Sequence, residues 1–218
     1  MKRTFAAVLL GASLAACSPV ESSDKPAAKA PYDYLVLALS WSPSYCELEG
    51  ERANRQQCRS DADHAFVVHG LWPQLNDRWP EFCPSREPDR VPESIVRQMS
   101  DIMPSGGLVG HQWRKHGSCT GLSQRGYFDL VREAASRVDI PTRFENARSD
   151  QNLSANDVEA AFTKANPGLN HDGIAVVCED GYIREVRICL ANDLTFRSCP
   201  QLDRRGCRLR QAEMPAPR

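Results

Sequence analysis

One apolar segment, Tyr34–Trp41, reads YLVLALSW. Its side chains alternate only in part and the run is short, which favours a central β-strand over a helix. A second strand candidate, residues 65–69, reads AFVVH and is followed by Gly70. Because glycine commonly interrupts a strand, the second strand is expected to stop there. The sequence therefore predicts two strands near the start of the folded region.

Helical patterns occupy the middle of the chain. Apolar residues recur at helical spacing in residues 92–103, 108–117 and 124–138, and a capped pattern occupies 154–166. Residues 76–92 are rich in Pro, Asp and Arg, which predicts an irregular surface loop.

Strand patterns return near the end of the chain, at residues 174–178, 182–190 and 195–198. Helices grouped in the middle and antiparallel strands beyond them indicate the α+β class. The predicted architecture is a central antiparallel sheet with packed helices.

The first residues have the pattern of an export signal. Residues 1–16 combine a basic start with an apolar run too short to span a bilayer. The run ends in Leu14-Ala15-Ala16-Cys17, which resembles a bacterial lipobox, and ordinary cleavage near the alanines is the alternative. Residues 17–31 are rich in Ser, Ala, Pro and Lys and predict a flexible tether that is lipidated at Cys17, with residues 32–218 as the folded domain. The expected location is the periplasm or outer membrane, or alternatively outside the cell.

The composition is that of an ordinary soluble domain. Hydrophobic residues make up 41% and charged residues 25% of the 218 residues, so neither wholesale disorder nor a membrane-embedded body is indicated. The net charge is -1, and loss of Lys2 and Arg3 with the signal makes it two units more negative. A polyanionic partner would therefore have to be attracted by a local basic cluster.

Nine cysteines are present, and lipidation of Cys17 would leave an even set. In an exported chain an even set argues for disulfides. No Cys-x-x-Cys pair occurs, which disfavours a zinc ribbon or a thioredoxin-like site. The remaining eight are Cys46, Cys58, Cys83, Cys119, Cys178, Cys189, Cys199 and Cys207.

Two motifs carry residues suited to chemistry. The first, HGLWP at residues 69–73, lies at the end of the second predicted strand, and the second, HQWRKHGSC, covers residues 111–119. On a helix, with about 100° between successive residues, an arc of roughly 140° contains four polar or basic side chains: His111, Gln112, Lys115 and His116. An apolar core would not tolerate that face, so it is expected to open onto a ligand or a site.

A zinc site is a minor alternative. His111 and His116 are five residues apart rather than four, no Glu lies between them, and Lys115 would repel a cation. His64 and His171 lie outside both motifs, and we assign them no role.

Together with LALSW at residues 37–41, the two motifs resemble the ribonuclease T2 family of acid endoribonucleases, and the chain has the features of a bacterial member. The resemblance covers about residues 32–207. It implies a ribonuclease T2-like, disulfide-stabilised catalytic domain that cleaves single-stranded RNA through a 2',3'-cyclic phosphate to a 3'-phosphate. No metal or other cofactor and no obligate protein partner are expected.

The resemblance also implies roles for the basic residues. His69 would protonate the departing 5'-oxygen, and His116 would take the proton from the 2'-hydroxyl. Two imidazoles with pKa values near ~6.5 can divide acid and base duties in this way. Lys115 would stabilise charge on the phosphoryl oxygens, and His111 would hold the phosphate.

Two positions depart from the family pattern. Residue 112 is Gln where Glu is usual, and residue 74 is Gln where some members use Asp for base recognition. Gln112 can still orient the site by hydrogen bonding. Trp72 would help to form a base pocket by stacking, and Gln74 would contact the base at the recognition position. The loss of the carboxylate at Gln112 permits an alternative function, a weakened member that binds RNA or a protein.

The resemblance further implies four disulfides. Carried over position by position, the family pattern joins Cys46 to Cys58, Cys83 to Cys119, Cys178 to Cys207, and Cys189 to Cys199.

Overall fold

The computed structural model of the protein describes residues 30–58 and 63–217. The proposed signal (1–16), Cys17 and nearly all of the tether lie outside the described residues. No helix in the described ranges is both long enough and apolar enough to cross a membrane.

Helices pack against both faces of a sheet. In chain order they are α1 (Ser42–Glu49), α2 (Arg55–Cys58), α3 (Glu93–Met99), α4 (Gly106–Lys115), α5 (Gln124–Ser136), α6 (Thr142–Glu145), α7 (Ala155–Ala165) and α8 (Pro200–Asp203). Short 3-10 turns occupy Gly50–Arg52, Gly117–Thr120 and His171–Gly173.

The strands form one mixed sheet. They are β1 (Tyr34–Trp41), β2 (Phe66–Gln74), β3 (Gln151–Leu153), β4 (Ile174–Glu179), β5 (Tyr182–Leu190) and β6 (Ala212–Met214). The order across the sheet is β2-β1-β5-β6-β3, and β4 also pairs with β5. All the pairings are antiparallel except that between β5 and β6, which is parallel.

Strand β1 is central, and all eight of its residues are buried. One face carries Leu35, Leu37 and Leu39, which join the main hydrophobic core beneath the helices. The opposite face carries Tyr34, Val36, Ala38 and Ser40, and Ala38 lies opposite Gly70 of β2 and Arg187 of β5. Because successive side chains of a strand point to opposite faces, β1 separates the core from a second, more polar face of the sheet.

The α+β class with a central, mainly antiparallel sheet is confirmed. Strand β2, however, does not stop at Gly70, since its pairing with β1 continues to Gln74 opposite Tyr34. The predicted helix 92–103 ends earlier, at Met99, and the one expected over 108–117 is displaced to Gly106–Lys115.

At the end of the chain the predicted strand 195–198 is reduced to one bridge between Leu190 and Phe196. Helix α7 begins as its capping pattern predicts, because Ser154 and Asp157 form a reciprocal capping box.

Four disulfides crosslink the fold. They join Cys46 to Cys58, Cys83 to Cys119, Cys178 to Cys207, and Cys189 to Cys199, the same pairs that the resemblance implies.

Candidate active site

His69 occupies an irregularity of β2. Gly70 pairs with Ala38 and Val68 pairs with Leu39, so His69 is an extra residue without a partner on β1. Such a β-bulge bends a strand and re-aims a side chain. Here the imidazole turns to the polar face of the sheet, where its Nδ1 lies 2.5 Å from Glu185 Oε1.

Gly70 lets helix α4 approach this strand closely. A Cβ atom at position 70 would lie 2.0 Å from Gln112 Oε1 and 2.7 Å from Trp72 Nε1. In the space left by the missing side chain, Trp72 Nε1 donates a hydrogen bond of 2.9 Å to Gln112 Oε1. The two predicted motifs therefore touch through one hydrogen bond between buried or half-buried side chains.

Helix α4 presents the expected polar face to the cleft. His111, Gln112, Lys115 and His116 all line it, whereas Trp113 is buried in the hydrophobic core. The helix itself ends at Lys115, and His116 is its C-cap residue with φ -122°, outside the regular helix. The amide of His116 still donates to the carbonyl of Gln112, at 2.9 Å.

The loop over residues 76–92 is fastened to the end of α4. The Phe82 amide donates to the Lys115 carbonyl at 2.8 Å, and Lys115 Nζ lies 3.2 Å from Glu81 Oε1. The disulfide between Cys83 and Cys119 adds a covalent link beside these contacts. The loop is irregular, as predicted, and it forms one wall of the cleft through Trp79 and Glu81.

The cleft has a volume of about 490 Å³. Its lining comes from strands β1, β2 and β5, from helices α4 and α8, and from the loop before α3. The lining residues are Val36, His69, Trp72, Gln74, Trp79, Glu81, His111, Gln112, Lys115, His116, Arg187 and Leu202. All seven side chains that the sequence analysis assigned to catalysis or substrate binding thus lie in one cleft.

His116 lies in surroundings that disfavour its charged form. The residue is 6% exposed, and its ring stacks on Trp72 with 5.2 Å between ring centroids. Burial first, then the charges of Lys115, His69 and His111, lower the pKa of His116 to about 3. Within the described residues, its Nδ1 atom has no hydrogen-bond partner. A neutral imidazole is the form that can accept a proton.

His111 and Gln74 have different surroundings. Partial burial first, then the charges of Lys115 and Arg114, lower the pKa of His111. Its ring lies 6.4 Å from the ring of exposed Phe82, centroid to centroid, in an edge-to-face arrangement. Gln74 is 3% exposed, and its amide donates to the Pro73 carbonyl at 2.9 Å. Because His111 and Gln74 both line the cleft, each can offer a polar group to a ligand there.

Two charged residues of β5, which lie outside both sequence motifs and were not predicted, also belong to the site. Glu185 Oε1 contacts His69, and Glu185 Oε2 lies 2.5 Å from Arg187 Nε. The Arg187 guanidinium also lies over the Trp72 ring, 4.9 Å from its centroid. The available signal was the strand alternation, which puts residues 185 and 187 on the face opposite the core residues Val186 and Ile188.

In the described part of the chain, no group of three or more His, Cys, Asp or Glu side chains is arranged to hold a metal ion. The cleft brings together the imidazole rings of three histidines and the ammonium group of one lysine, with indole rings beside them. Such a set can move protons and can bind an anion, the chemistry of an acid–base enzyme acting on a phosphate ester.

Comparison with known proteins identifies the class. Residues 32–199 match the model of the ribonuclease T2 family. A ribonuclease of Aeromonas hydrophila is 34% identical over 168 residues, which cover 75% of this chain and 74% of that protein. Ribonuclease I of Escherichia coli is 26% identical over 204 residues, covering 74% and 76%. The chain belongs to the ribonuclease T2 family, and it is a ribonuclease.

Solved structures share the fold. RNase NT, in a complex with 5'-AMP, superposes with a TM-score of 0.65 at 23% identity over 85% of this chain and 98% of that one. An RNase-related protein from Calystegia sepium gives a TM-score of 0.67 at 18% identity, covering 86% and 98%. The α+β architecture is thus that of ribonuclease T2-like proteins.

Proposed function

We propose that the protein cleaves single-stranded RNA by transphosphorylation, first to a 2',3'-cyclic phosphate and then to a 3'-phosphate, without a metal ion. The observation that carries this proposal is the meeting of His69, His116 and Lys115 in one cleft, although they come from a strand and from the end of a helix. RNA is the substrate because the nucleophile is its own 2'-hydroxyl, which DNA lacks.

In the first step, His116 takes the proton of the 2'-hydroxyl as its oxygen attacks phosphorus. The bond from phosphorus to the 5'-oxygen breaks, and His69 gives that oxygen a proton. In the second step the roles reverse: His69 takes a proton from water, which opens the cyclic phosphate, and His116 returns a proton to the 2'-oxygen. Burial, with the charges of Lys115, His69 and His111, lowers the pKa of His116, so in the free protein the ring is in the neutral form that can accept a proton.

The remaining residues hold the substrate. Lys115 would stabilise the negative charge that gathers on the phosphoryl oxygens, and His111 would bind the phosphate. Trp72 and Gln74 would contact a base. Gln112 accepts the hydrogen bond of the Trp72 indole and would keep that ring in place against His116.

A product assay tests the proposal. A purified dinucleotide or single-stranded RNA is incubated with the protein in EDTA, and the products are identified by ³¹P NMR. We expect a cyclic phosphate that precedes the 3'-phosphate, at an unchanged rate in EDTA. The matched control is His171→Ala, which removes an exposed histidine outside the cleft and should cleave normally. An inert but folded protein that still binds RNA would favour the alternative, a binding module.

Export and anchoring form a separate part of the proposal. Residues 1–16 would act as a signal, residues 17–31 as a tether lipidated at Cys17, and residues 32–218 as the catalytic domain in the periplasm, at the outer membrane or outside the cell. The four disulfides support an oxidising compartment. Palmitate labelling of the full chain, lost in Cys17→Ser, is the expected result. Unlabelled wild-type protein in solution would instead indicate ordinary signal cleavage.

A further inference from the structure

Glu185 is a buried carboxylate on the polar face of the sheet. It pairs with Ser40 of β1 in the strand register, and its side chain is only 5% exposed. A buried carboxylate is costly unless both oxygens have partners. Here Oε1 lies 2.5 Å from His69 Nδ1, and Oε2 lies 2.5 Å from Arg187 Nε.

The two partners keep Glu185 ionised. Burial by itself raises the pKa of the Glu185 carboxyl, but the contacts with His69 and Arg187 outweigh it, so the pKa lies below its usual value. An ionised carboxylate only accepts hydrogen bonds. The Nδ1 atom of His69 must therefore carry the hydrogen of this contact, which leaves Nε2 as the ring atom for the cleft.

We propose that Glu185 is the positioning residue of His69, holding it in the Nδ1–H form with Nε2 directed at the leaving oxygen. This inference rests on the proposed function. When Nε2 gives its proton to the 5'-oxygen and the phosphorus–oxygen bond breaks, the ring becomes neutral and keeps its Nδ1–H bond to Glu185. The carboxylate receives no proton. In the second step, the Nε2 lone pair takes a proton from the attacking water.

Arg187 connects this contact to the rest of the cleft. Its guanidinium balances the charge of Glu185 and lies over Trp72, whose indole donates to Gln112. Position 112 carries no carboxylate, whereas Glu185 supplies one from the opposite wall of the site. One connected set of side chains therefore contacts both the acid, His69, and the base, His116.

The test compares Glu185→Gln with Glu159→Gln. Glu159 is a matched control because it is also a buried glutamate, 8% exposed, but it lies on α7 and accepts from the Val176 amide. For Glu185→Gln we expect kcat to fall about 10- to 100-fold, less than the about 10²- to 10⁴-fold that the acid–base group itself contributes, with little change in KM. Glu159→Gln should leave kcat unchanged.

A second readout does not depend on activity. Two-bond ¹H–¹⁵N NMR correlations of the free protein report which ring nitrogen of neutral His69 carries the hydrogen. The wild type and Glu159→Gln should show only the Nδ1–H form, whereas Glu185→Gln should show a mixture, since an amide can accept or donate. If the wild type fails to cleave RNA, the proposed function fails, and this spectrum alone decides the role of Glu185.

An unchanged kcat together with a pure Nδ1–H form in Glu185→Gln would overturn the proposal. If Glu185→Gln does not fold, Glu185→Asp replaces it, because its shorter carboxylate cannot keep both contacts. A loss of kcat in that variant supports the positioning role, and wild-type kcat rejects it.

Discussion

The two ends of the cleft surround their histidines in opposite ways. His69 stands on a bulge of β2, half-exposed, with the carboxylate of Glu185 against its Nδ1. His116 stands just past the end of α4, buried against Trp72, with the ammonium of Lys115 as its sequence neighbour. In the proposed function the first ring is the acid and the second is the base. Two chemically identical side chains thus have different surroundings: a carboxylate holds one ring nitrogen of His69, whereas burial keeps the ring of His116 neutral.

The largest expected effects come from the removal of each histidine, and they distinguish the proposed acid from the proposed base. His69→Ala and His116→Ala should each lower kcat on a dinucleotide by about 10²- to 10⁴-fold with the fold intact, as measured by circular dichroism. A substrate with a 4-nitrophenyl leaving group needs no acid, because nitrophenolate departs unprotonated. We expect that substrate to rescue His69→Ala but not His116→Ala. Equal rescue of both variants would break the assignment of acid and base.

The next effect concerns the disulfide at the His116 end. Replacing Cys83 and Cys119 with Ser should lower the free energy of unfolding by about 2 to 4 kcal/mol and should reduce kcat, because the loop wall loses its link to α4. Replacing Cys46 and Cys58 is the control: that bridge spans 12 residues rather than 36 and lies outside the cleft. Denaturant titration and steady-state rates measure the two effects. An equal loss of kcat in both variants would mean that Cys119 has no special role.

A smaller effect probes the electrostatics at His116. In Gln112→Glu, a buried carboxylate near His116 favours the protonated ring and so raises the pKa of His116 from about 3. The base then becomes free only at higher pH, and the ascending limb of kcat/KM should shift upward. Profiles across about pH 3 to 8 measure the shift, with Gln112→Ala as the uncharged control. A limb that moves downward would contradict the proximity of Gln112 to His116.

The smallest expected effect concerns Glu81, whose carboxylate is an anionic group of the protein in the cleft. The Glu81 carboxylate lies 3.2 Å from Lys115 Nζ, where the proposed function puts a phosphoryl oxygen. Because the pair is partly exposed, its strength is about 0.2 to 1 kcal/mol. Glu81→Gln should therefore lower KM by up to about fivefold with little change in kcat. A raised KM would mean that Glu81 helps to hold Lys115 in place.

Sequence alone predicts those parts of the fold that depend on local pattern. Strand β5 agrees with its alternation at both ends, and helix α7 begins at its capping box. Helix α1 was not predicted, because Ser42–Glu49 has a weak separation of polar and apolar faces. The short strands β3 and β6 were also missed, since three residues carry too little pattern.

The two motifs predict the site residues of β2 and α4. They do not predict the partners of these residues on β5. Glu185 is 116 residues from His69 along the chain, and only the pairing of β1 with both strands brings the two together. The sequence does not reveal the bulge at His69 either. It predicts that the strand stops at Gly70, whereas the strand continues past Gly70 and His69 is an extra residue within it. The register between distant strands arises only when the sheet assembles, so the local sequence pattern does not predict it.

The bulge also has a consequence for how such a protein can lose activity. Without residue 69, Val68 and Gly70 would follow one another opposite Leu39 and Ala38, the regular antiparallel pairing. Deletion of residue 69 would thus restore regular pairing of β1 with β2 and keep the other residues of β2 on their present faces, but the buried Glu185 would lose its contact with His69. We expect such a deletion variant to lose the group that the proposed function makes the acid, and to be less stable because a buried carboxylate that loses a partner is costly.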